Sequence, residues 1–255
     1  MIKIAFFDVD GTILKSGHRE LSEKTVWILN RLRQEGVILC MATGRGYPCV
    51  PDFNNMKFDI YLTYTGSFVT DGMNVMRNNP LHKRDAKQII RNLIEMGKSF
   101  TVGCRDLLYV YGQDPYSGAY PYAHKESLTV ERLSLLEKID IYQIMCRCEK
   151  EEHGVILKDT SYARISAWCD SAIDIIPLYG GKAAAVEDVL KYYGIAVDEA
   201  IAFGDSRNDM DMLKAVGTGI AMGNAENDVK KIADEICGSV DDDGVYHYFI
   251  ENISF

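Results

Sequence analysis

The chain has 255 residues and a formal net charge of −9 at pH 7, since 28 Lys and Arg face 37 Asp and Glu. Hydrophobic residues make up 47% and charged residues 25%, which is the composition of a globular protein and not of a disordered one. The acidic balance argues against a nucleic-acid or membrane-surface binder, because such binders need clustered Lys and Arg.

The sequence shows neither an export signal nor a membrane span. The apolar start at residues 2–7 contains Lys3 and is too short for a signal sequence. Nothing approaches the roughly 20 apolar residues that cross a bilayer. The seven Cys lack a CxxC pair, so we interpret them as reduced thiols packed like small apolar groups. We therefore expect a cytoplasmic protein without membrane or nucleic-acid contacts, a monomer or a weak homodimer.

Both ends of the chain alternate short apolar runs with amphipathic segments. The predicted strands are residues 3–7, 37–42, 59–63, 200–203 and 218–222. The predicted helices are residues 22–35, 183–193, 208–215 and 225–233. Continuous apolar runs are typical of strands buried on both faces. This alternation predicts an α/β fold with a Rossmann-like parallel sheet and crossover helices.

The middle of the chain has a different pattern. Residues 86–97 favour a helix, and strands are predicted at residues 99–104, 107–112, 141–148 and 162–169. Several of these strands alternate polar and apolar residues, which predicts an antiparallel sheet with one face exposed. We therefore predict a core domain of residues 1–81 and 179–255, with an inserted α+β domain of residues 82–178.

The DVDGT motif of residues 8–12 directly follows the first predicted strand. In open α/β sheets, ligands bind beyond the carboxyl ends of the strands. Asp8 and Asp10 flank a single residue, so the backbone can bring both carboxylates near one point. Gly11 permits an unusual backbone angle and close approach to a ligand. The alternative is a turn that closes the strand.

The GDSRND motif of residues 204–209 follows a second predicted strand. Alone it could be an ordinary helix start. If both motifs lie at the same edge of one sheet, their carboxylates would converge and repel one another. These carboxylates belong to Asp8, Asp10, Asp205 and Asp209. A divalent cation removes this repulsion, and an all-oxygen acidic site suits Mg²⁺.

Two further signals point to an anionic ligand. Thr43, Gly44 and Arg45 follow the second strand, where a hydroxyl and backbone N–H groups suit a phosphate oxygen, although a simple turn is the alternative. Lys182 opens the helix of residues 183–193. Helix N-termini favour anions, so an anionic ligand would explain a cation there, the alternative being a solvated Lys.

In this order, the motifs DxDGT, TGR, Lys182 and GDSRND resemble the haloacid dehalogenase superfamily of aspartate-nucleophile phosphatases. The insert resembles the α/β cap of the Cof-type sugar-phosphatase branch, type IIB. The stretches GIAMGNA (219–225) and DDDGVYHYFIE (241–251) are similar to the tail of that branch. The resemblance covers essentially the full chain.

The resemblance implies a mechanism through an aspartyl-phosphate. Asp8 would be the nucleophile, and Asp10 would protonate the leaving alkoxide and then take a proton from the attacking water. The Mg²⁺ ligands would be the Asp8 and Asp205 side chains and the Asp10 backbone carbonyl. Asp209 would not bind the metal directly but would order the water molecules bound to it. The substrate phosphate would be bound by Gly11, Thr43, Gly44, Lys182 and Asn208.

One stretch departs from the family pattern. Cof-type proteins usually carry Asn-Gly-Ala after the third strand, whereas this chain has Thr65-Gly66-Ser67. His18 and Arg45 are candidates for the entrance of the site. In the insert, the candidates for substrate recognition are Arg105, Tyr109, Tyr111, Tyr122, His124 and Arg164.

These features together predict a Mg²⁺-dependent phosphatase of small phosphorylated metabolites, with sugar phosphates as the favoured class. A sugar-phosphate mutase or phosphotransferase is the alternative, since it differs in whether water or a sugar hydroxyl accepts the phosphoryl group. A phosphosugar-binding regulator without turnover is a further alternative. The intact Asp8 and Asp10 argue against the regulator, which needs neither acid.

Overall fold

The computed structural model describes residues 1–53, 56–114, 123–169 and 171–252. Numbered in chain order, the strands within these ranges are β1 (Ile4–Phe7), β2 (Ile38–Ala42), β3 (Ile60–Thr63), β4 (Phe68–Thr70), β5 (Val75–Asn78), β6 (Phe100–Cys104), β7 (Leu108–Tyr111), β8 (Lys125–Leu128), β9 (Ile141–Arg147), β10 (Ala163–Cys169), β11 (Ala172–Pro177), β12 (Ala200–Gly204), β13 (Thr218–Ala221) and β14 (Glu235–Ile236). The α-helices are α1 (Glu23–Gln34), α2 (Lys83–Glu95), α3 (His153–Ile156), α4 (Lys182–Tyr193), α5 (Met210–Lys214), α6 (Asn227–Ile232) and α7 (Gly244–Asn252).

Strands from both ends of the chain form one sheet, in the order β14–β13–β12–β1–β2–β3–β4–β5. Neighbours from β14 to β3 are parallel, and β4 and β5 extend the sheet as antiparallel strands. All four residues of β1 are fully buried, as expected for a strand covered on both faces. The predicted parallel α/β core is therefore confirmed, with β4, β5 and β14 as strands that we did not predict.

The crossover helices begin and end near the predicted residues. At the start of α1, the Thr25 backbone N–H donates to Ser22 Oγ at 3.0 Å, and Gly36 follows the helix with a φ of +81°. Helix α4 begins at Lys182 and ends at Tyr193, and the following Gly194 has the left-handed conformation typical of a helix end. These helix boundaries place Lys182 in the first turn of α4, at the edge of the sheet where the strands end.

The carboxyl-terminal helix α7 is an element that we did not predict. Its Phe249 is fully buried, and the ring centroid lies 5.3 Å from that of Phe203 and 6.4 Å from that of Phe7. On the same side of the sheet, the ring of Tyr246 meets Trp27 of α1 edge to face at 5.9 Å. Helix α7 therefore covers the strands that carry the two acidic motifs.

The middle of the chain forms a second sheet, in the order β10–β11–β9–β6–β7–β8. Its strand pairs are antiparallel except β7 and β8, which run parallel. Among the described residues, the prediction of an antiparallel sheet is therefore right for four of these five strand pairs and wrong for the edge pair β7–β8. The connection between those two strands includes residues 115–122, which lie outside the described ranges.

The prediction that one face of this sheet is exposed is wrong. One face packs against α2 and α3, where Ile89 and Ile156 join the same buried cluster as Val102 and Ile144. The other face lies on loops of the first sheet, and Met145 packs in a buried cluster with Cys49. Burial on both sides explains why every residue of β6 and β11 is buried.

The chain leaves the first sheet between β5 and α2 and returns to it between β11 and α4. The predicted boundaries of the insert, residues 82–178, fall in these two connections and stay a prediction. Among the helices of the described ranges, none is both long enough and apolar enough to cross a membrane.

Candidate active site

The predicted motifs meet at the carboxyl ends of four adjacent strands. Asp8 follows β1, Thr43 follows β2, Tyr64 follows β3 and Asp205 follows β12, and these strands are parallel neighbours. Loops after adjacent parallel strands lie side by side at the same edge of a sheet. Residues far apart in the sequence are thereby brought into one site.

Three carboxylates and one ammonium form the centre of this site. Asp8, Asp205 and Asp209 each offer an oxygen atom, and these atoms lie within 4.8 Å of one another. Lys182 Nζ lies 2.6 Å from Asp8 Oδ1 and also donates to Asp209 Oδ1. Lys182 and Asp209 are fully buried, and Asp8 is 6% exposed.

Burial and mutual repulsion shift the protonation of these groups. Burial, and then the nearby Asp209 carboxylate, hold the pKa of Asp8 well above its usual value, although Lys182 opposes the shift. The same two causes raise the pKa of Asp205 to about 7. Burial alone would lower the pKa of Lys182, but the charges of Asp209 and Asp8 outweigh it and raise that pKa. Three acids share one ammonium, so the site has an excess of negative charge that a cation would balance.

Asp209 holds the site together through contacts to its neighbours. Its Oδ2 accepts the backbone N–H groups of Asp205 at 3.1 Å and Ser206 at 3.0 Å, while its Oδ1 accepts from Lys182. An added β-carbon at Gly204 would lie 2.5 Å from the Asp209 β-carbon, so this close approach requires glycine. Both oxygens are engaged by the protein, which fits the predicted place of Asp209 outside the metal's direct ligands.

Gly11 lies against the carboxylate of Asp205. Its φ is +86°, and an added β-carbon would lie 2.4 Å from Asp205 Oδ2, so both backbone conformation and space call for glycine. Its backbone N–H, predicted to bind phosphate, donates in this structure to the Leu14 carbonyl at 3.0 Å. Thr12, which we did not predict, donates from its hydroxyl to Asp205 Oδ1 at 3.3 Å.

The structure brings together three of the four predicted carboxylates, those of Asp8, Asp205 and Asp209. The Asp10 carboxylate lies apart from them. Its side chain is 58% exposed, against 9% for Asp8. Arg45 binds it with two hydrogen bonds, from Nε at 2.8 Å and from Nη2 at 2.6 Å. Arg45, proposed above for the entrance, therefore orients the acid on the open side of the site.

The other predicted phosphate contacts lie near one another. The Thr43 hydroxyl is buried and accepts the backbone N–H of Arg45 at 3.0 Å. A β-carbon at Gly44 would lie 3.6 Å from Asn208 Nδ2 and 3.5 Å from Asp174 Oδ2. Within the described part of the chain, the buried Asn208 Oδ1 has no hydrogen-bond partner.

Asp174 is a residue of this region that sequence reasoning missed. It lies in β11 of the second sheet, is 3% exposed and accepts a hydrogen bond from the Thr65 hydroxyl at 3.2 Å. Its signal was an acid inside the apolar run AIDIIP, a position that a buried strand rarely gives to a charge. Thr65, which stands where the family usually has Asn, thereby links the core to the second sheet.

The remaining candidates are scattered. His18, Arg105 and His124 are exposed, whereas Tyr109 is buried and Tyr111 is half-buried, both in the hydrophobic cluster of the second sheet. Arg164 lies near the site, because it donates to the Gly180 carbonyl at 2.7 Å, two residues before Lys182. Tyr122 lies outside the described residues.

Comparisons with known proteins agree on one family. A family model for haloacid dehalogenase-like hydrolases matches residues 5–249. An HMP-PP phosphatase of Klebsiella pneumoniae (strain 342) is 30% identical over 250 residues, covering 90% of this chain and 87% of the relative. The 5-amino-6-(5-phospho-D-ribitylamino)uracil phosphatase YitU of Bacillus subtilis (strain 168) is 26% identical, covering 97% and 96%. The structure of a HAD subclass IIB sugar phosphatase, BT4131, matches with a TM-score of 0.89 over 98% of each chain, at 22% identity, and so shows the shared fold.

Proposed function

The chain belongs to the haloacid dehalogenase-like hydrolase family, and from that membership we propose that it is a Mg²⁺-dependent phosphatase of small phosphorylated metabolites. We favour sugar phosphates as the substrate class. Both curated relatives bear the name of a phosphatase, and the structural relative is named a sugar phosphatase. These names support the proposal, and the residues of this chain provide its mechanism.

The observation that carries the proposal is the placement of Asp8. Its carboxylate is buried at the end of β1, 2.6 Å from the Lys182 ammonium and beside Asp205. A carboxylate is a competent nucleophile toward phosphorus when positive charge neutralises the phosphoryl oxygens. Lys182 supplies part of that charge from within the fold.

The proposed reaction has two halves. First, Asp8 bonds to phosphorus while the bond from phosphorus to the ester oxygen breaks, and Asp10 gives its proton to the leaving alkoxide. Then a water attacks the aspartyl-phosphate, and Asp10 takes the proton of that water. Inorganic phosphate leaves, and Asp8 returns to its carboxylate form. Arg45 holds Asp10 on the exposed side of the site, and Asp10 would exchange these two hydrogen bonds for contacts to the leaving group and the water.

The donor set fits Mg²⁺. Asp8 and Asp205 offer carboxylate oxygens, and the Asp10 backbone carbonyl is the third proposed ligand; all are the hard oxygen donors that this ion prefers. When bound, Mg²⁺ would supply positive charge that stabilises the phosphoryl oxygens in the transition state. The excess of buried carboxylates over ammonium groups gives the site its affinity for a cation.

The phosphate would lie between the loops after β1, β2 and β12. Lys182 and the Thr43 hydroxyl would contact its oxygens, together with backbone N–H groups of Gly44 and the Asn208 amide. The N–H of Gly11 would have to exchange its bond to Leu14 for one to phosphate. The second sheet covers this region, which favours small substrates over phosphorylated proteins.

The test is phosphate release from a panel of phosphorylated metabolites near neutral pH, with Mg²⁺ and with EDTA, using Asp8→Asn as the blank. We expect release that needs Mg²⁺ and is lost in the blank, because an amide cannot form the covalent intermediate. Release that persists in purified Asp8→Asn would overturn the assignment of the nucleophile. Isomerised product on addition of a sugar bisphosphate would instead assign a mutase.

A further inference from the structure

The chain returns from β11 to α4 through residues 178–181, the return segment. Two arginines bind consecutive carbonyls of this segment. Arg77 of β5, in the first sheet, donates from Nη2 to the Tyr179 carbonyl at 2.6 Å. Arg164 of β10, in the second sheet, donates from Nη2 to the Gly180 carbonyl at 2.7 Å. Each sheet therefore contributes one arginine to the stretch of backbone that leads into α4.

Each arginine also meets a carboxylate on a helix. Arg77 Nη1 forms an ion pair with Asp188 of α4. Arg164 Nη2 lies 3.8 Å from Asp211 Oδ2 of α5. A guanidinium group has several donors in a fixed plane, so one arginine can hold a carbonyl and a carboxylate at once. The two arginines therefore join the return segment to α4 and to α5.

Gly181, the last residue of the return segment, has no room for a side chain. An added β-carbon would overlap Arg164 Nη2 and lie 2.6 Å from Asp211 Oδ2. The Gly181 carbonyl oxygen packs closely on Gly66 in the loop after β3, where an added β-carbon would overlap it. These contacts leave Gly181 little freedom to move, and Lys182 follows it directly in the chain.

The position of Lys182 needs such support because the start of its own helix provides little. Among the described residues, no side chain caps α4, whose first residue is Lys182. Helix starts are usually fixed by a Ser, Thr, Asp or Asn side chain that accepts from the backbone of the first turn. The Lys182 ammonium nevertheless lies 2.6 Å from Asp8 Oδ1 and donates to Asp209. The arginines supply from distant strands the support that the helix start lacks.

We propose that Arg77 and Arg164 are positioning residues for Lys182. They hold the return segment so that the Lys182 ammonium stays beside Asp8, where it meets the phosphoryl group. The inference rests on the phosphatase function proposed above, and it adds that the second sheet acts on the reacting atoms through the backbone that Arg164 holds. Misplacement of a catalytic group by about 1 Å can cost roughly 100-fold in rate, so the loss of either arginine should be visible in turnover.

A role of Arg164 in substrate recognition would give a different result. Lys182 would contact the phosphoryl group, which every substrate shares, so its displacement should lower kcat/KM by the same factor for all substrates. A side chain that binds the leaving group lowers kcat/KM only for substrates that carry the matching group. Substrates with different leaving groups therefore separate the two roles.

The experiment compares wild type with Arg77→Met, Arg164→Met, Arg164→Lys and the control Arg132→Met. Methionine keeps an apolar stem like that of arginine and removes every donor. Arg132 is the matched control, because it also binds a carbonyl, that of Ser127 at 2.6 Å, and a carboxylate, that of Glu126 at 2.8 Å. It follows β8, at the opposite edge of the second sheet from β10.

The substrates are p-nitrophenyl phosphate and the sugar phosphate with the highest kcat/KM in the panel. For Arg77→Met and Arg164→Met we expect kcat/KM to fall roughly 10- to 100-fold, by the same factor on both substrates to within about threefold. Arg164→Lys should lose less, since lysine keeps the charge but lacks the planar fork that binds a carbonyl and a carboxylate together. Arg132→Met should stay within about twofold of wild type on both substrates.

Amide hydrogen exchange of the same proteins, followed without substrate, tests the positioning independently of turnover. The Ala185 N–H donates to the Gly181 carbonyl at 3.3 Å, so its exchange reports how firmly the start of α4 is held. We expect peptides that contain Ala185 to exchange at least about threefold faster in Arg77→Met and Arg164→Met than in wild type. Exchange in Arg132→Met should equal that of wild type.

Three results would overturn the proposal. Losses confined to the sugar phosphate would assign Arg164 to substrate recognition. Wild-type exchange at Ala185 in both variants would show that the arginines do not hold the start of α4. Equal effects in Arg132→Met would indicate general destabilisation. If wild type turns over neither substrate, the phosphatase function fails on its own, and the exchange comparison still decides whether the two arginines fix the start of α4.

Discussion

The ring of Tyr64 fills the space that a side chain at Gly103 would need. Tyr64 follows β3 in the first sheet, Gly103 lies in β6 of the second, and an added β-carbon would come within 2.5 Å of the ring. The Tyr64 hydroxyl donates to the Cys104 carbonyl, and the ring stacks on Tyr142 with centroids 5.3 Å apart. This interlocking fixes the second sheet on the loop that also carries Thr65.

Gly103→Ala tests this contact. The added methyl group must displace the Tyr64 ring or the strand, and overpacking of this kind costs about 1–3 kcal/mol. We expect a lower free energy of unfolding in urea and a reduced kcat/KM, because the second sheet shifts over the site. Gly154→Ala is the matched control, since a β-carbon there has no neighbour within 4 Å and should leave both quantities near wild type. Wild-type stability for Gly103→Ala would show that the two sheets are not interlocked at this point.

Lys182 is the cation on which two buried acids depend. Lys182→Met leaves Asp8 and Asp209 without their shared partner, and breaking a buried ion pair on one side costs about 3–5 kcal/mol. We expect the double variant Lys182→Met/Asp209→Asn to be more stable than the sum of the two single effects predicts. The difference should be about 1 kcal/mol, the size of coupling found between residues in direct contact. Urea unfolding of the four proteins of this cycle measures the coupling. Strictly additive effects would contradict a direct pair.

Asp205→Asn tests the proposed metal site without abolishing the fold. The change removes one carboxylate ligand, so we expect the Mg²⁺ concentration for half-maximal phosphate release to rise roughly tenfold or more. In EDTA the same change should stabilise the protein by about 1 kcal/mol, because it removes a largely buried charge and its repulsion with Asp209. The exposed Asp198→Asn is the control and should change neither quantity. An unchanged metal titration would remove Asp205 from the proposed ligands.

Thr65 adopts a backbone conformation that is costly for a β-branched residue. Its φ is +51°, in the left-handed region, where such strain is worth about 1–3 kcal/mol. Thr65→Asn should raise the free energy of unfolding by roughly 0.5–1 kcal/mol, since Asn tolerates this region and its amide can still donate to Asp174. Asp159→Asn is the control. Asp159 also has a left-handed backbone, with a φ of +61°, but Asp adopts this conformation as readily as Asn, so the free energy of unfolding should not change. A less stable Thr65→Asn would show that the hydroxyl bond to Asp174 outweighs the strain.

The parts of the fold that follow from local patterns were predicted from the sequence. The parallel core, helix α1 with its Ser22 cap and the return of the chain to α4 all depend on periodicity and on capping residues within a few positions. The exposure of the second sheet could not be predicted in this way. Both faces of β6 and β11 are buried because one of them rests on distant loops, and no local pattern encodes that docking.

The candidate site likewise has features that the local sequence predicts and features that depend on distant contacts. The carboxylates of the two acidic motifs were predicted, since each directly follows an apolar strand. The departure of Asp10 from the cluster depends on Arg45, 35 positions along the chain, and on where its side chain reaches. The position of Asp174 beside Thr65 depends on strand register, which is set when the whole sheet assembles.

The buried thiols make alkaline pH a further test of the fold. Burial raises the pKa of Cys49 to about 11 and the pKa values of Cys104 and Cys237 to about 12, from an ordinary value of 9.0. The folded state therefore keeps protons that the unfolded state loses, so the stability from these groups is complete below about pH 9 and is lost as the pH rises toward the folded values. We expect the urea midpoint to fall as the pH rises above about 9, with a shallower fall in Cys104→Ala. Alkylation by iodoacetamide just above neutral pH, followed peptide by peptide, should leave Cys49 and Cys104 unmodified until urea unfolds the chain, because the thiolate is the reactive form. Rapid modification of Cys104 in the native protein would contradict its burial beneath the Tyr64 contact.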